Sequence, residues 1–395
     1  MQILDNRKAV GTWPLLRLGF RPFFLLGSTL AALVIALWVF AMQGYNFWGP
    51  PLGGWLAWHR HELIFGFAGA IISGFLLTAV QAWTGRSSLG GKPLGVLVAI
   101  WLVARLAWWS GSPQLLLLAN LLFFASVALI MAHLLWAVRQ TRNYPIVAVL
   151  ALLLGADALT LLGVLQANDA WQRQGTWAAV WLAAAMLGLI GGRVIPFFTQ
   201  RGLGRACAVK PWGWLDNALL VVTALVATLF ALGVALQAHA WLGLVFSALA
   251  VGHGIRLVRW FDGGVLRVPL LWSLHLAYAW LVIACISMAL WHFGLHGGIS
   301  QALHALTVGA LGGSILAMLA RVSLGHTGRP LQLPRGFTLA FMLLNLGGLF
   351  RVLAVGVWYQ PAIWLAAICW VGAFVQYLCC YAPMLCRARA DGQPG

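Results

Sequence analysis

Between Trp58 and Val80 the chain reads WHRHELIFGFAGAIISGFLLTAV, which sets His59, His61 and Glu62 together at the mouth of an apolar stretch. Imidazole and carboxylate ligate metals, and imidazole is an axial ligand of haem iron. A carboxylate beside a ligating histidine has a second use, because accepting the far ring N–H fixes the tautomer and raises the basicity of the imidazole. The competing reading is a polar turn ahead of a membrane span. If the helix already begins at Trp58, then His59, Glu62, Gly66, Gly69 and Ser73 share one stripe, and His61 points elsewhere with Phe65, Ala68, Ile72 and Phe75. In a helix the two histidines cannot share a ligand; in a turn they can. The stripe of small and polar residues suits close packing or the approach of a flat ligand.

The chain has ten histidines. His59, His61, His239, His292, His296 and His304 fall near one face of the expected bundle, and His133, His253, His275 and His326 near the other. In HALTVGALGGSILAMLARVSLGHTG, the residues His304, Thr307, Leu311, Ser314, Met318 and Arg321 lie on one stripe beside Gly309, Gly312 and Gly313. At ~1.5 Å per residue His304 and His326 are about 33 Å apart, too far to ligate one iron but able to mark two sites. In LHLAYAW and beyond, His275, Tyr278, Val282, Cys285 and His292 share a stripe, and His253 and Arg256 are i, i+3 neighbours. Two imidazoles from different helices can hold b-type haem between them, with arginines pairing with the propionates. Imidazole also suits copper, and His59, His61 and His304 form a candidate three-ligand set on the outer side.

These residues must be positioned by membrane helices. Of 395 residues, 62% are hydrophobic and 8% charged, a balance no soluble exterior could cover. Apolar runs predict twelve spans, at roughly 22–43, 63–82, 94–110, 115–138, 146–166, 176–198, 215–236, 239–258, 270–291, 300–321, 336–357 and 361–385. The runs are continuous rather than alternating, which excludes a β-barrel. The net charge of +17 is a topology signal and not a nucleic-acid site. All but four of the 24 basic residues fall on one side of this scheme; Arg60 and Arg173 fall on the other, and Arg105 and Arg351 lie within spans. That asymmetry predicts both termini in the cytoplasm.

The expected organisation is an interfacial N-terminal segment at 1–21, a single transmembrane domain at 22–385 and a disordered cytoplasmic tail at 386–395. No A-x-A-like site follows the first apolar run, so no cleaved leader is expected. The six cysteines form no C-x-x-C or C-x-x-C-H pattern, which excludes covalent c-type haem and zinc pairs.

At LGFRPFFLLG, WHRHELIFGFAGAIISGFLLTAV, WTGR, GGRVIPFFT, LHLAYAW and HALTVGALGGSILAMLARVSLGHTGRPL the chain resembles the NnrS family, in the family's order, from about residue 17 to the eleventh span. The resemblance implies a twelve-span haem- and copper-containing protein of the bacterial inner (cytoplasmic) membrane, linked to nitric oxide metabolism and resistance to nitric oxide stress. It implicates His59, His61 and Glu62 of W-H-x-H-E, His304 of H-A-L-T-V-G, His275 of L-H-x-A-Y and His326 of L-G-H-T-G, with Arg21, Arg193 and Arg321. The chain departs from the pattern at Ala82, where asparagine is expected before W-T-G, and near Asn120, where an acid is expected.

Two functions follow as expectations. One is a haem b protein, with copper, that binds or transforms nitric oxide, an oxidoreductase if a quinol or cytochrome supplies electrons. No adjacent His-His pair is present, so a conventional haem–copper oxidase site is not expected. The other is a secondary transporter or carrier of a metal, haem or small molecule, for which interior carboxylates would couple protons. Those reduce to Glu62 and Asp157, with Asp216 and Asp262 near span ends. Arg105 and Arg351 have no acid nearby in sequence.

Overall fold

A computed structural model describes residues 11–45, 49–207, 209–295 and 298–393. His296 and the first part of the expected interfacial segment, residues 1–10, lie outside the described residues.

Among the described residues the protein is all-helical, and twelve helices are long and apolar enough to cross a membrane. They are α1 (Phe20–Met42), α2 (Gly54–Thr84), α3 (Gly91–Trp109), α4 (Pro113–Ala137), α5 (Thr141–Leu165), α6 (Asp169–Gly202), α7 (Gly213–Ala231), α8 (Ala240–Trp260), α9 (Pro269–His292), α10 (Ile299–His326), α11 (Thr338–Gly356) and α12 (Tyr359–Cys386). Leu106, Leu118, Leu129, Leu225 and Val258 stand exposed on their outer faces, where only lipid makes a compatible solvent. The chain is a multi-pass membrane protein.

The helix ends follow from local chemistry. Pro113 and Pro269 open α4 and α9 at positions where the missing N–H costs nothing, and Ser112 caps α4 by accepting from the Leu115 N–H at 3.3 Å. Gly85 closes α2 in the left-handed region at φ 68°, its N–H reaching the Gln81 carbonyl. Within α2 and α10 the ladder changes to π-helix over Glu62–Ala68 and Ala305–Gly312, directly after His61 and His304.

Boundaries differ from the hydropathy reading by a full turn and more at the starts of α2 and α5, at both ends of α6 and at the ends of α7 and α10, most of all at the start of α2. α2 begins at Gly54 and not near residue 63, so WHRHE is helical and not a polar turn. Hydropathy stops a span where charge begins, but here the charged side chains find partners inside the fold and the helix continues.

The chain divides into two compact units, Met1–Thr176 with Leu319–Phe337 and Phe374–Gly395, and Trp177–Met318 with Thr338–Ala373. In the first, Val34, Ala57, Trp58, Trp108 and Leu161 pack into one buried cluster. A Cβ on Gly175 would stand 2.3 Å from Thr160 Oγ1, so α5 and the start of α6 approach as closely as glycine allows. In the second unit Trp280 fills the face left by Gly309 and Gly348, and Trp370 that left by Gly312. The glycine face of α10 therefore receives side chains and packs; it is not left open to a flat ligand.

Part of the tail makes contacts with the first unit. Arg21 Nη1 donates to the Leu385 and Arg387 carbonyls at 2.7 Å each, and the Ala390 N–H donates to the Thr327 carbonyl at 2.9 Å. The start of α1 and the end of α12 thus lie at one end of the first unit. Reporter fusions at the two termini are expected to give the same compartment; opposite compartments would contradict this arrangement.

Candidate functional site

The polar residues of α2 meet those of α3, α4 and α5 in a buried cluster. His61 Nδ1 lies 3.0 Å from Glu62 Oε1, and His61 Nε2 lies 2.7 Å from Asp157 Oδ1 on α5. The Trp108 indole N–H of α3 donates to Glu62 Oε1 at 2.7 Å, and Arg105 Nη1 stands 3.1 Å from Glu62 Oε2. Arg105 also donates to the Asn120 side-chain carbonyl, while Asn120 Nδ2 reaches the Leu116 carbonyl of its own helix at 2.8 Å. His61, Glu62 and Asp157 are fully buried, and Arg105 nearly so.

Local structure makes the room. A Cβ on Gly66 would stand 2.3 Å from Arg105 Nη1 and 2.7 Å from Glu62 Oε2, so only glycine leaves space for the ion pair. Gly66 lies in the π-helical segment, where the changed ladder frees carbonyls, and its own accepts the Trp101 indole N–H at 3.1 Å. The Trp101 ring also lies under the Arg105 guanidinium, 5.4 Å from its centroid. Gly69, one turn on, is packed by Phe124.

Hydrogen-bond arithmetic says what this cluster can do. A neutral imidazole has one N–H, yet both ring nitrogens of His61 face carboxylate oxygens. Satisfying both contacts takes either an imidazolium between two carboxylates or a neutral ring with one protonated carboxyl. In each case the trio holds one proton beyond a neutral ring and two carboxylates. With that proton and Arg105 the cluster sums to zero charge, as a buried apolar setting demands. Asp157 Oδ2 has no hydrogen-bond partner among the described residues. The arrangement can therefore hold a proton and pass it between Glu62 and Asp157 across the ring. Ligation of a metal by His61 would require one of its carboxylate contacts to open.

The other expected residues are dispersed. His59 stacks on Trp38, with ring centroids 4.8 Å apart and planes 16° from parallel. His304 holds its Nδ1 2.7 Å from the Ser300 carbonyl, and Arg351 donates to the Ser300 hydroxyl at 2.9 Å. His275 places Nδ1 3.0 Å from the Leu271 carbonyl and Nε2 3.4 Å from that of Trp260. His326 packs on Phe20, with centroids 5.5 Å apart. Arg193 is half-buried on α6, and Arg321 is buried on α10. Among the described residues no three His, Cys, Asp or Glu side chains gather as a metal site.

The second unit contains its own buried polar group. His253 Nδ1 lies 2.7 Å from the Tyr278 hydroxyl, and Arg256 Nη2 donates to the Gly188 carbonyl at 2.8 Å. Arg256 Nε stands 3.2 Å from Asp216 Oδ1, and its guanidinium lies 4.7 Å from the Trp260 ring centroid. A Cβ on Gly192 would overlap Arg256 Nη2 at 1.7 Å. The i, i+3 spacing of His253 and Arg256 is legible in sequence; their partners Tyr278, Asp216 and Gly188 are not.

Glu62→Gln is expected to leave Arg105 without its counter-ion and cost about 3–5 kcal/mol. Adding Arg105→Met should recover part of that loss in a double-mutant cycle read by unfolding of the full chain in detergent. Simple addition of the two losses would argue against the pairing. Gly66→Ala is expected to destabilise in the same assay, because its Cβ displaces the ion pair.

A profile of the NnrS protein family matches residues 14–389. No curated protein matches the chain.

Proposed function

The chain belongs to the NnrS family, and from that premise we propose that it is a haem b protein of the bacterial inner membrane, carrying copper as well, that binds and transforms nitric oxide in defence against nitrosative stress. The observation that carries this reading is the setting of His304. Its Nδ1 is pinned to a carbonyl of its own helix, at the head of a π-helical segment. A ring nitrogen donating to a backbone carbonyl fixes the tautomer and makes Nε2 the ligating nitrogen, and π-helical turns recur at functional sites.

The donor chemistry fits the cofactors at several positions. His253 turns Nδ1 to Tyr278 and so offers Nε2, with Arg256 one turn along as a cation for a carboxylate. His326 in the first unit and His275 in the second are further candidate axial ligands, the latter once its Nε2 leaves the Trp260 carbonyl, with Arg21, Arg193 and Arg321 as candidate partners for propionates; His59 in the first unit and His304 in the second each offer imidazole to copper. Haem iron, when bound, supplies a centre that takes nitric oxide and exchanges one electron, which a quinol or cytochrome would replenish. The protein's own part is to fix each imidazole and to keep the surroundings apolar. The orientation with both termini in the cytoplasm belongs to this reading, since it puts the basic loops inside.

The buried His61–Glu62–Asp157–Arg105 cluster favours a second reading, a proton-coupled carrier, because interior carboxylates and histidines of this kind serve proton relays. Uptake of metal or haem into proteoliposomes would distinguish a carrier from a protein with resident cofactors.

The reduced-minus-oxidised absorption spectrum of the purified protein is expected to show Soret and α bands that shift on addition of nitric oxide. Metal analysis of His304→Ala is expected to show at least about tenfold weaker copper retention. A featureless spectrum from folded protein made with ample haem would overturn the haem assignment, and unchanged copper in the variant would overturn the role of His304.

A further inference from the structure

Four arginines crowd the end of the first unit at which α1 starts and α12 ends. Arg17, Arg329 and Arg389 lie close enough to Arg21 for their charges to act on it. Each is held by backbone oxygen: Arg17 Nε by the Thr12 carbonyl at 3.0 Å, Arg21 by Leu385 and Arg387, Arg329 Nη1 by Thr327 at 3.3 Å and Arg389 Nη1 by His326 at 3.1 Å. Carbonyls orient a guanidinium without cancelling its charge. The group is therefore fixed in place and stays cationic.

Its geometry already accommodates an oxyanion. Arg389 takes the Asp391 carboxylate in a two-pronged fork, Nε to Oδ1 at 2.9 Å and Nη2 to Oδ2 at 2.5 Å. That fork, the first of several causes, holds the Asp391 carboxyl down to about 2, so it is an anion at any physiological pH. Gly328, at φ 73°, makes space for it, since a Cβ there would stand 2.5–2.8 Å from the carboxylate atoms. Asp391 itself sits on a short tail anchored by the Ala390 N–H to Thr327, and its side chain is 38% exposed. It is a tethered carboxylate at an open position.

The surroundings are those of a lipid interface. Trp13 is 61% exposed beside the short helix Pro14–Leu16, which leads into Arg17 and then into α1. Exposed tryptophan and clustered arginine at the end of membrane helices is the combination that holds anionic headgroups. Guanidinium forks that fit a carboxylate also fit a phosphate.

We infer that Arg17, Arg21, Arg329 and Arg389 form a binding site for a phosphate group, carried by an anionic phospholipid headgroup, and that the Asp391 carboxylate is the built-in competitor which the phosphate displaces from Arg389. This site is independent of haem, copper or nitric oxide.

The test uses the full chain in detergent, titrated separately with dioleoyl phosphatidylglycerol, dioleoyl phosphatidylcholine and inorganic phosphate, with the midpoint of thermal unfolding as readout. Phosphatidylglycerol is expected to raise the midpoint where phosphatidylcholine does not, and the effect should shrink with added salt. Asp391→Asn removes the competitor and is expected to tighten phosphatidylglycerol binding about fivefold. Arg329→Gln, which leaves the Asp391 fork intact, is expected to weaken it by a similar factor. Equal responses to the two lipids, or an Asp391→Asn protein that binds as the parent does, would overturn the proposal. Stabilisation by inorganic phosphate alone would keep the chemistry of the site and overturn the lipid as its source.

Discussion

A charge placed in hydrocarbon has to bring its counter-charge with it, and the first unit is arranged around that requirement. Arg105 on α3 needs Glu62 on α2; Glu62 shares His61, and His61 in turn reaches Asp157 on α5. Asn120 brings in α4. Helices in lipid gain nothing from hiding apolar faces from one another, since the lipid tails are equally apolar. Polar contacts and glycine-sized approaches therefore carry much of the specificity of packing. One cluster of a few side chains ties four consecutive helices to a single arrangement, and sliding any one of them would strand an ion.

The second unit applies the same device with a different arginine. Arg256 on α8 reaches the Gly188 carbonyl on α6, Asp216 on α7 and the Tyr278 ring on α9. Here too glycine makes the space, at Gly192. In both units a bulky cation is accommodated by removing a methyl group from a neighbouring helix, so glycines that read as a packing stripe are in part the moulds of arginine side chains. The glycine face of α10 shows the other use, filled by tryptophan rings.

The bundle was almost wholly legible in the sequence, because span length and continuous hydropathy are local properties. All twelve helices overlap their expected spans, and α2, the furthest from its limits, departs where hydropathy cannot know that Glu62 and His61 have buried partners. The site was legible only in its parts. His61, Glu62, Asp157 and Arg105 each stood out as a polar residue in an apolar run, and the carboxylate beside an imidazole was foreseen. The pairing of Arg105 with Glu62 across distant sequence was hidden, as were Trp108 and Asn120, since a tryptophan or an asparagine in a span carries no mark of what it bonds.

The change of ladder over Glu62–Ala68 has a consequence for how the chain tolerates editing. A π-helical stretch amounts to one residue more than a regular helix would use over the same rise. Removing a single residue from it would let α2 run as a continuous α-helix with its two sides still in register, whereas removing one from the regular helix beyond it would turn everything on one side of the cut by about 100° relative to the other. His61 and Glu62 would then face away from Asp157 and Arg105 while every one of those residues remained in the sequence. The register of α2 is thus a piece of information stored in chain length rather than in residue identity, and the stretch after His304 stores the same kind of information in α10.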